Sequence, residues 1–349
     1  MSTILLIRLS AIGDIVFASP LIAALRRAYP NARIVWLVQA EYRALLDHHP
    51  DLDDVIACPL RHWRQLWRER HFGALLRSIW VLRATLQSYN VDLAIDLQGL
   101  LKSGLLTWLS AARERIGLGS REGSQWLMTR TVPRGGIARQ IGSEYRYLAE
   151  TLRLPTDDWA MAVHYSATEA AFIADMLLEK RITQSYAVLC PFTTRPQKHW
   201  FEDRWLALAA RLQAELGLTP LLLGGAAEHL AATRMTAASS GQLVNLVGKT
   251  SLTEAAALID QAALVIAVDT GLGHIGIALN TPSLLLFGST RPYLDTGRTN
   301  AQVLYHALPC SPCKRHPTCD GKFDCLRQIS VDTVINTAKR LIKNENPSR

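Results

Sequence analysis

The chain has 349 residues, more than one small core needs, and at roughly 100 to 200 residues per domain two domains are expected. Hydrophobic residues make up 49% and charged residues 19%, a globular composition that excludes long disorder, collagen and disulfide-dense miniproteins. Lys and Arg number 38 against 30 Asp and Glu, net +8, but residues 1–153 hold 20 basic and 13 acidic side chains, net +7, leaving 18 and 17, net +1, for the rest. The first half should therefore meet something anionic: nucleic acid, an anionic membrane surface, or a phosphorylated or carboxylated small molecule.

The N-terminal apolar run is broken by Arg8 and Asp14 with no small-residue cleavage site after it, so it reads as a strand rather than a signal peptide. The longest stretch without charge, Thr270–Thr290, holds four glycines, Pro282, Asn280 and His274, and reads as loop, helix and buried strand rather than a membrane span. A cytoplasmic protein with six reduced cysteines is the expectation.

In chain order, Ile4–Arg8 is a strand, Leu9–Asp14 a tight turn, and Ile15–Ala28 a helix stopped by Pro30. Arg33–Val38 and Val91–Leu97 are further strands with helical segments between, a βα alternation that implies a parallel sheet. The pattern restarts after the turn-rich Leu154–Asp158, with strands at Tyr186–Cys190, Thr219–Leu223, Leu243–Val247, Leu264–Val268 and Ser283–Phe287, and helices at Asp203–Leu216 and Thr253–Gln261. Two βα halves imply a cleft at the carboxyl ends of their sheets.

Five constellations stand at strand ends, three in the first half and two in the second. Gly13 and Asp14 lie on the first turn, where Gly13 allows close backbone approach and Asp14 is either a helix cap or a general base toward a hydroxyl. Arg61-His-Trp-Arg64-Gln-Leu-Trp67-Arg68, if helical, puts three arginines on one face with Trp63 and Trp67 stacked beside them. It reads as a solvated basic helix or as guanidinium forks for carboxylate or phosphate, which Arg121 could join. Asp96-Leu-Gln-Gly-Leu-Leu-Lys102-Ser103 repeats the strand end, glycine and base.

In the second half, Thr193, Thr194 and Lys198 between strand and helix suit phosphate oxygens, and Asp269-Thr270-Gly271-Leu-Gly-His274 presents helix-start amides to an anion. His274 alone would be an ordinary core or cap histidine. Glu228 ends another strand, where a carboxylate suits a ribose. Neither GxxxxGK[ST] nor GxGxxG is present, against a Walker nucleotidase or an ordinary Rossmann oxidoreductase.

Taken together, Ser10–Asp14, Arg61–Arg64, Asp96–Ser103, Thr193–Arg195 with Lys198–Trp200, and Asp269–His274 resemble glycosyltransferase family 9, the ADP-heptose:lipopolysaccharide heptosyltransferases, over roughly residues 1–305. The resemblance implies an α/β GT-B fold, two Rossmann-like domains with parallel sheets facing a central cleft. It implies an acceptor domain at 1–165, a nucleotide-sugar domain at 166–325, and a C-terminal helix within 326–349 packing back on the first. On it, Asp14 is the general base of an inverting transfer, with Lys198 and a helix N-terminus offsetting the charge of departing ADP. Thr193, Thr194 and Lys198 contact diphosphate, Glu228 adenosine and Asp269 the heptose, with Gly13, Thr270, Gly271 and His274 completing the donor site. Arg61, Arg64, Lys102 and Arg121 anchor the Kdo carboxylates or lipid A phosphates of a lipopolysaccharide precursor at the inner membrane face, where the enzyme could be peripheral.

Catalysis on this reading needs no metal or other cofactor. His62 and Gln65 stand where cations are expected, and Thr250 where methionine is expected near adenine. Cys310, Cys313, Cys319 and Cys325 are spaced so that Zn or Fe could bind, a reading ranked below a thiol-rich packing loop. The alternatives are another acceptor, a later core sugar or an autotransporter hydroxyl, and a nucleic-acid-binding module. The last is disfavoured because the near-neutral half carries the phosphate-type loops.

Overall fold

The computed structural model describes residues 2–313 and 316–345. The chain forms two compact units, one running to Ile137 and resuming over Gly142–His164, the other made of Ala138–Ile141 and the chain from Tyr165 onward.

The first unit holds β1 (Thr3–Ile7), α1 (Ile12–Ala18), α2 (Pro20–Ala28), β2 (Arg33–Gln39), β3 (Asp54–Cys58), α3 (Leu60–Arg68), α4 (Phe72–Ser88), β4 (Leu93–Asp96), α5 (Leu101–Leu109), β5 (Glu114–Leu118), β6 (Arg130–Val132) and α6 (Ser143–Thr151). Its strands form one parallel sheet, β3-β2-β1-β4-β5-β6, with Leu5 of β1 opposite Val35 on one side and Ala94 on the other. Every residue of β1 and of β4 is buried, because a parallel sheet is covered on both faces and takes apolar runs without alternation.

The expected helix Ile15–Ala28 is two helices. Pro20 lacks an amide to continue the ladder and instead opens α2, while the Ser19 hydroxyl donates to the Val16 carbonyl at 2.7 Å. Trp63 and Trp67 of α3 do not stack together: Trp63 turns inward and donates to Ser78 Oγ at 2.8 Å, whereas Trp67 stays exposed.

The second unit holds α7 (Ala167–Glu179), β7 (Tyr186–Cys190), α8 (Glu202–Leu216), β8 (Thr219–Leu222), α9 (His229–Ala238), β9 (Val244–Asn245), α10 (Leu252–Asp260), β10 (Leu264–Val268), α11 (Gly271–Ala278), β11 (Ser283–Phe287), β12 (Ala301–Tyr305), α12 (Asp324–Arg327) and α13 (Val331–Glu345). Its sheet is again wholly parallel, β12-β11-β10-β7-β8-β9. Capping boxes Ser166/Glu169 and Ser251/Glu254 start α7 and α10, and Gly217 at φ +64° ends α8. The segment Ala138–Ile141 joins this unit through Asp295, whose carbonyl accepts from Ile141 N at 2.9 Å and whose amide donates to Arg139 O at 2.8 Å.

The apolar face of α13, expected on the first domain, is spent inside the second unit: Val334, Ile335, Ala338 and Leu341 belong to its core with Trp205, Leu208 and Leu286. Among the described residues no helix is long and apolar enough to cross a membrane.

Both sheets share one consequence of strand order. The chain leaves β1 in one direction through β2 and β3, then returns to β1's other side with β4; β7 and β10 repeat this. The reversal opens a crevice beyond the carboxyl ends of each such pair, the place where open α/β sheets hold ligands.

Candidate functional site

At the switch point of the first unit, β1 ends in Arg8 and the chain turns through Leu9–Ala11 into α1. Asp14 is the third residue of that helix, and its carboxylate reaches back to the Ala11 amide at 3.2 Å, the acidic half of a capping box. Its Oδ2 also meets Arg8 Nη2 at 2.5 Å. Arg8 is buried, with Nη1 donating to Leu97 O at 3.1 Å. Burial opposes its charge, but Tyr145 and Asp14 beside it push its pKa upward overall. Both bonds to Asp14 fall on Oδ2, and the side chain remains 38% exposed. Gly13 is buried in the same first turn.

Across the switch, β4 ends in the fully buried Asp96. Its Oδ1 accepts from the amides of Gln98 (2.9 Å) and Gly99 (3.1 Å), and its Oδ2 from the Ser103 hydroxyl (2.9 Å), which folds the loop tightly into α5. Gly99, at φ +67°, has no room for a side chain, since a Cβ would stand 2.4 Å from Leu118 O. Lys102 follows on α5, its pKa lowered by burial and then by the charges of Arg64 and Arg8. Arg61 and Arg64 are exposed on α3, after β3. Arg121, after β5, is exposed while its amide donates to Gly99 O at 3.0 Å. Arg61 and Arg121 make no side-chain bond to the other candidates among the described residues, so fold order places them at the same sheet edge without joining them.

The second switch point is more closely knit. β7 runs into a loop carrying Thr193, Thr194 and the short 3₁₀ turn Pro196–Lys198, held by the His199 ring donating Nε2–H to Thr193 O at 2.8 Å. β10 runs into Asp269, and Thr270 is the N-cap of α11, whose opening amides lack intrahelical partners. Lys198 Nζ stands 2.5 Å from Asp269 Oδ2 and 3.3 Å from its carbonyl, so the two loops meet in an ion pair. On the other oxygen, His274 Nε2 lies 3.4 Å from Asp269 Oδ1, and His274 Nδ1 lies 2.6 Å from the Tyr293 hydroxyl. Burial alone would raise the Asp269 pKa, but His274 and Lys198 hold the carboxyl well below the usual carboxylate range. Burial pushes the Tyr293 phenol well above its ordinary value. Glu228, closing a 3₁₀ turn after β8, folds its carboxylate back over Gly225.

Two members of these sites escaped the sequence. Arg8 had a signal, a lone arginine closing an otherwise aliphatic strand, whereas Tyr293 lies 19 residues beyond its partner His274 with no local pattern to mark it. Cys310, Cys313, Cys319 and Cys325 are free thiols graded from exposed to buried, and among the described residues no group of three His, Cys, Asp or Glu side chains could hold a metal ion.

Comparison with known proteins gives these geometries a family. Residues 79–323 match the family model for glycosyltransferase family 9 (heptosyltransferase). Lipopolysaccharide heptosyltransferase 1 of Pseudomonas aeruginosa is 31% identical over 316 residues, covering 89% of this chain and 85% of that protein. The E. coli heptosyltransferase WaaC, solved with ADP and with ADP-2-deoxy-2-fluoro heptose, superposes with TM-scores of 0.75 and 0.72 at 25% identity, over 97% of this chain and 99% of WaaC. A glycosyltransferase family 9 structure from Veillonella parvula gives a TM-score of 0.81 at 20% identity, over 98% and 97% of the two chains. The expected GT-B class, with two Rossmann-like domains, is therefore the fold of this enzyme. The chain belongs to glycosyltransferase family 9, the heptosyltransferases.

Proposed function

We propose that this enzyme moves heptose from ADP-heptose to an anionic acceptor, the Kdo region of the lipopolysaccharide inner core, with inversion at the anomeric carbon. The observation that carries the donor half is the Lys198–Asp269 pair immediately before α11. A cation and a helix N-terminus at one point suit a diphosphate, and the adjoining carboxylate suits sugar hydroxyls. The ADP and the ADP-2-deoxy-2-fluoro heptose named for WaaC support that donor class. The relatives' names as lipopolysaccharide heptosyltransferases support the acceptor class.

In this reading the first unit binds the acceptor and the second the donor. Asp14 takes the acceptor hydroxyl proton through Oδ1, the oxygen not occupied by Arg8 and Ala11, while the acceptor oxygen bonds to the anomeric carbon and the bond to ADP breaks. The anomeric centre gains oxocarbenium character, and the electron pair leaves on the diphosphate of ADP. Lys198, the α11 amides at Thr270 and Gly271, and the Thr193 and Thr194 hydroxyls stabilise that leaving charge. Glu228 contacts adenosine, Gly13 and His274 line the donor, and Arg61, Arg64, Lys102 and Arg121 hold the acceptor's carboxylates and phosphates.

Incubation with ADP-heptose and Kdo2-lipid A tests this: ADP release should accompany a product heavier by one heptose. Folded enzyme that binds ADP yet leaves Kdo2-lipid A unmodified removes the acceptor assignment. Failure to bind ADP removes the donor.

A further inference from the structure

The first unit has an outer layer that runs against the usual pattern of water-facing helices. In α5 the buried positions include Ser103 and Thr107, whereas Leu101, Leu105 and Trp108, an i, i+4, i+7 row, face solvent. The row Phe72, Leu76 and Trp80 at i, i+4, i+8 does the same on α4. Trp67 of α3, 65% exposed, meets Phe72 edge-on with ring centroids 5.3 Å apart. Trp126, on the 3₁₀ turn Ser124–Leu127, is 85% exposed. These elements touch in series, α3 with α4, α4 with α5, and α5 with the turn, so the rows belong to one layer. With Val81 of α4, nine of the fourteen large apolar side chains exposed among the described residues lie here, a concentration unlike the single scattered residues of an ordinary surface.

The charge around the rows is mostly positive, with Glu69 and Glu122, whose carboxylate accepts from the Leu101 amide at 3.4 Å, as the acidic exceptions. Residues 60–88 contain six arginines and one glutamate, Arg68 and Arg77 are exposed, and the Arg83 guanidinium lies 5.0 Å from the Trp80 ring centroid. Indole rings favour the headgroup level of a bilayer, and guanidinium forks favour lipid phosphate. A nucleic acid would use the arginines but leave Leu76, Leu101 and Leu105 in water.

We propose that the outward face of α3, α4, α5 and the Trp126 turn docks on an anionic lipid surface. The inference rests on the proposed function for its purpose alone, which is to bring the enzyme to a lipid-anchored acceptor.

The test uses the full chain with vesicles of phosphatidylcholine, with and without phosphatidylglycerol, and no acceptor. Wild type should sediment with the anionic vesicles, release as salt rises, and show a blue shift of tryptophan emission. Trp80→Glu with Trp108→Glu should weaken vesicle binding by at least about tenfold. Thermal stability and turnover on a soluble Kdo acceptor should stay unchanged, and Trp80→Ala with Trp108→Ala serves if the charged pair misfolds. Three results overturn the proposal: equal vesicle binding by variant and wild type, a dimer dispersed by the variant with no vesicle binding by wild type, or binding to DNA in place of vesicles. Vesicle binding without heptose transfer removes the acceptor assignment and leaves the docking face standing. Transfer to a soluble acceptor without vesicle binding removes the docking face alone.

Discussion

Replacing Lys198 alone should cost more stability than replacing Lys198 and Asp269 together. The two side chains are 17% and 14% exposed with Nζ and Oδ2 2.5 Å apart, and Met in place of Lys keeps the stem while leaving the Asp269 carboxylate to His274 at 3.4 Å. Stripping one partner from a fully buried pair costs about 3–5 kcal/mol, and the partial exposure of this pair together with the histidine should hold the loss in K198M below that range, at about 2–3 kcal/mol. K198M/D269N removes the stranded charge as well and should recover about 1–2 kcal/mol of that loss. A carboxyl held below its unfolded pKa contributes stability that is complete above the unfolded value, about 4, and is lost as pH falls through the folded value. The gap between wild type and K198M should therefore be full at neutral pH and narrow below about pH 4. Urea unfolding of wild type, K198M, D269N and the double variant across that range measures it. Turnover of K198M should fall by about 10²–10³, as for loss of one charge-stabilising donor. A K198M protein as stable as wild type, or a double variant that loses the plain sum of both single losses, would refute the reasoning.

Asp14→Asn should retain ADP binding and lose at least about 10²-fold in transfer rate, since the proposed general base is removed from a half-exposed position; isothermal titration beside a single-turnover assay separates the two. Arg8→Met should lower kcat about tenfold or more with the ADP-heptose KM unchanged, because it frees the Asp14 carboxylate without touching the second unit; a change confined to KM would contradict a positioning role. His49 is buried edge-on to His164 at 4.8 Å, with Nδ1 accepting from Asp51 N, and burial followed by the His164 charge lowers its pKa to about 4. Its neutral form thus contributes stability that is complete above the unfolded value of about 6.5 and is lost as pH falls toward 4, up to about 3 kcal/mol. His49→Gln should flatten that slope in the first unit's melting, and an unchanged slope would count against it.

The sequence was most legible where burial is two-sided. β1, β7, β10 and β11 are aliphatic runs buried along their whole length, and their bounds are nearly those expected. β6 and β12 are edge strands with exposed or half-exposed positions, and β5 opens on Glu114 and Arg115, so neither an apolar run nor clean alternation announces them. The site divides likewise. Lys198, Asp269 and His274 were marked by strand ends and glycine turns, and the fold joins them. The Arg8–Asp14 pair and the Tyr293–His274 bond are tertiary, visible only when a strand end or a distant loop closes over its neighbour.

The short strap at Ala138–Ile141 bears on how such enzymes exchange parts. A fragment starting at Tyr165 would carry all six strands of its sheet but not the piece of chain that bonds Asp295 through Arg139 and Ile141. Grafting this half onto another family member's first unit therefore means transplanting two separate stretches of gene, and a chimaera joined at one point would put a foreign strap against Asp295. Recombination between relatives should be tolerated best where both stretches travel together.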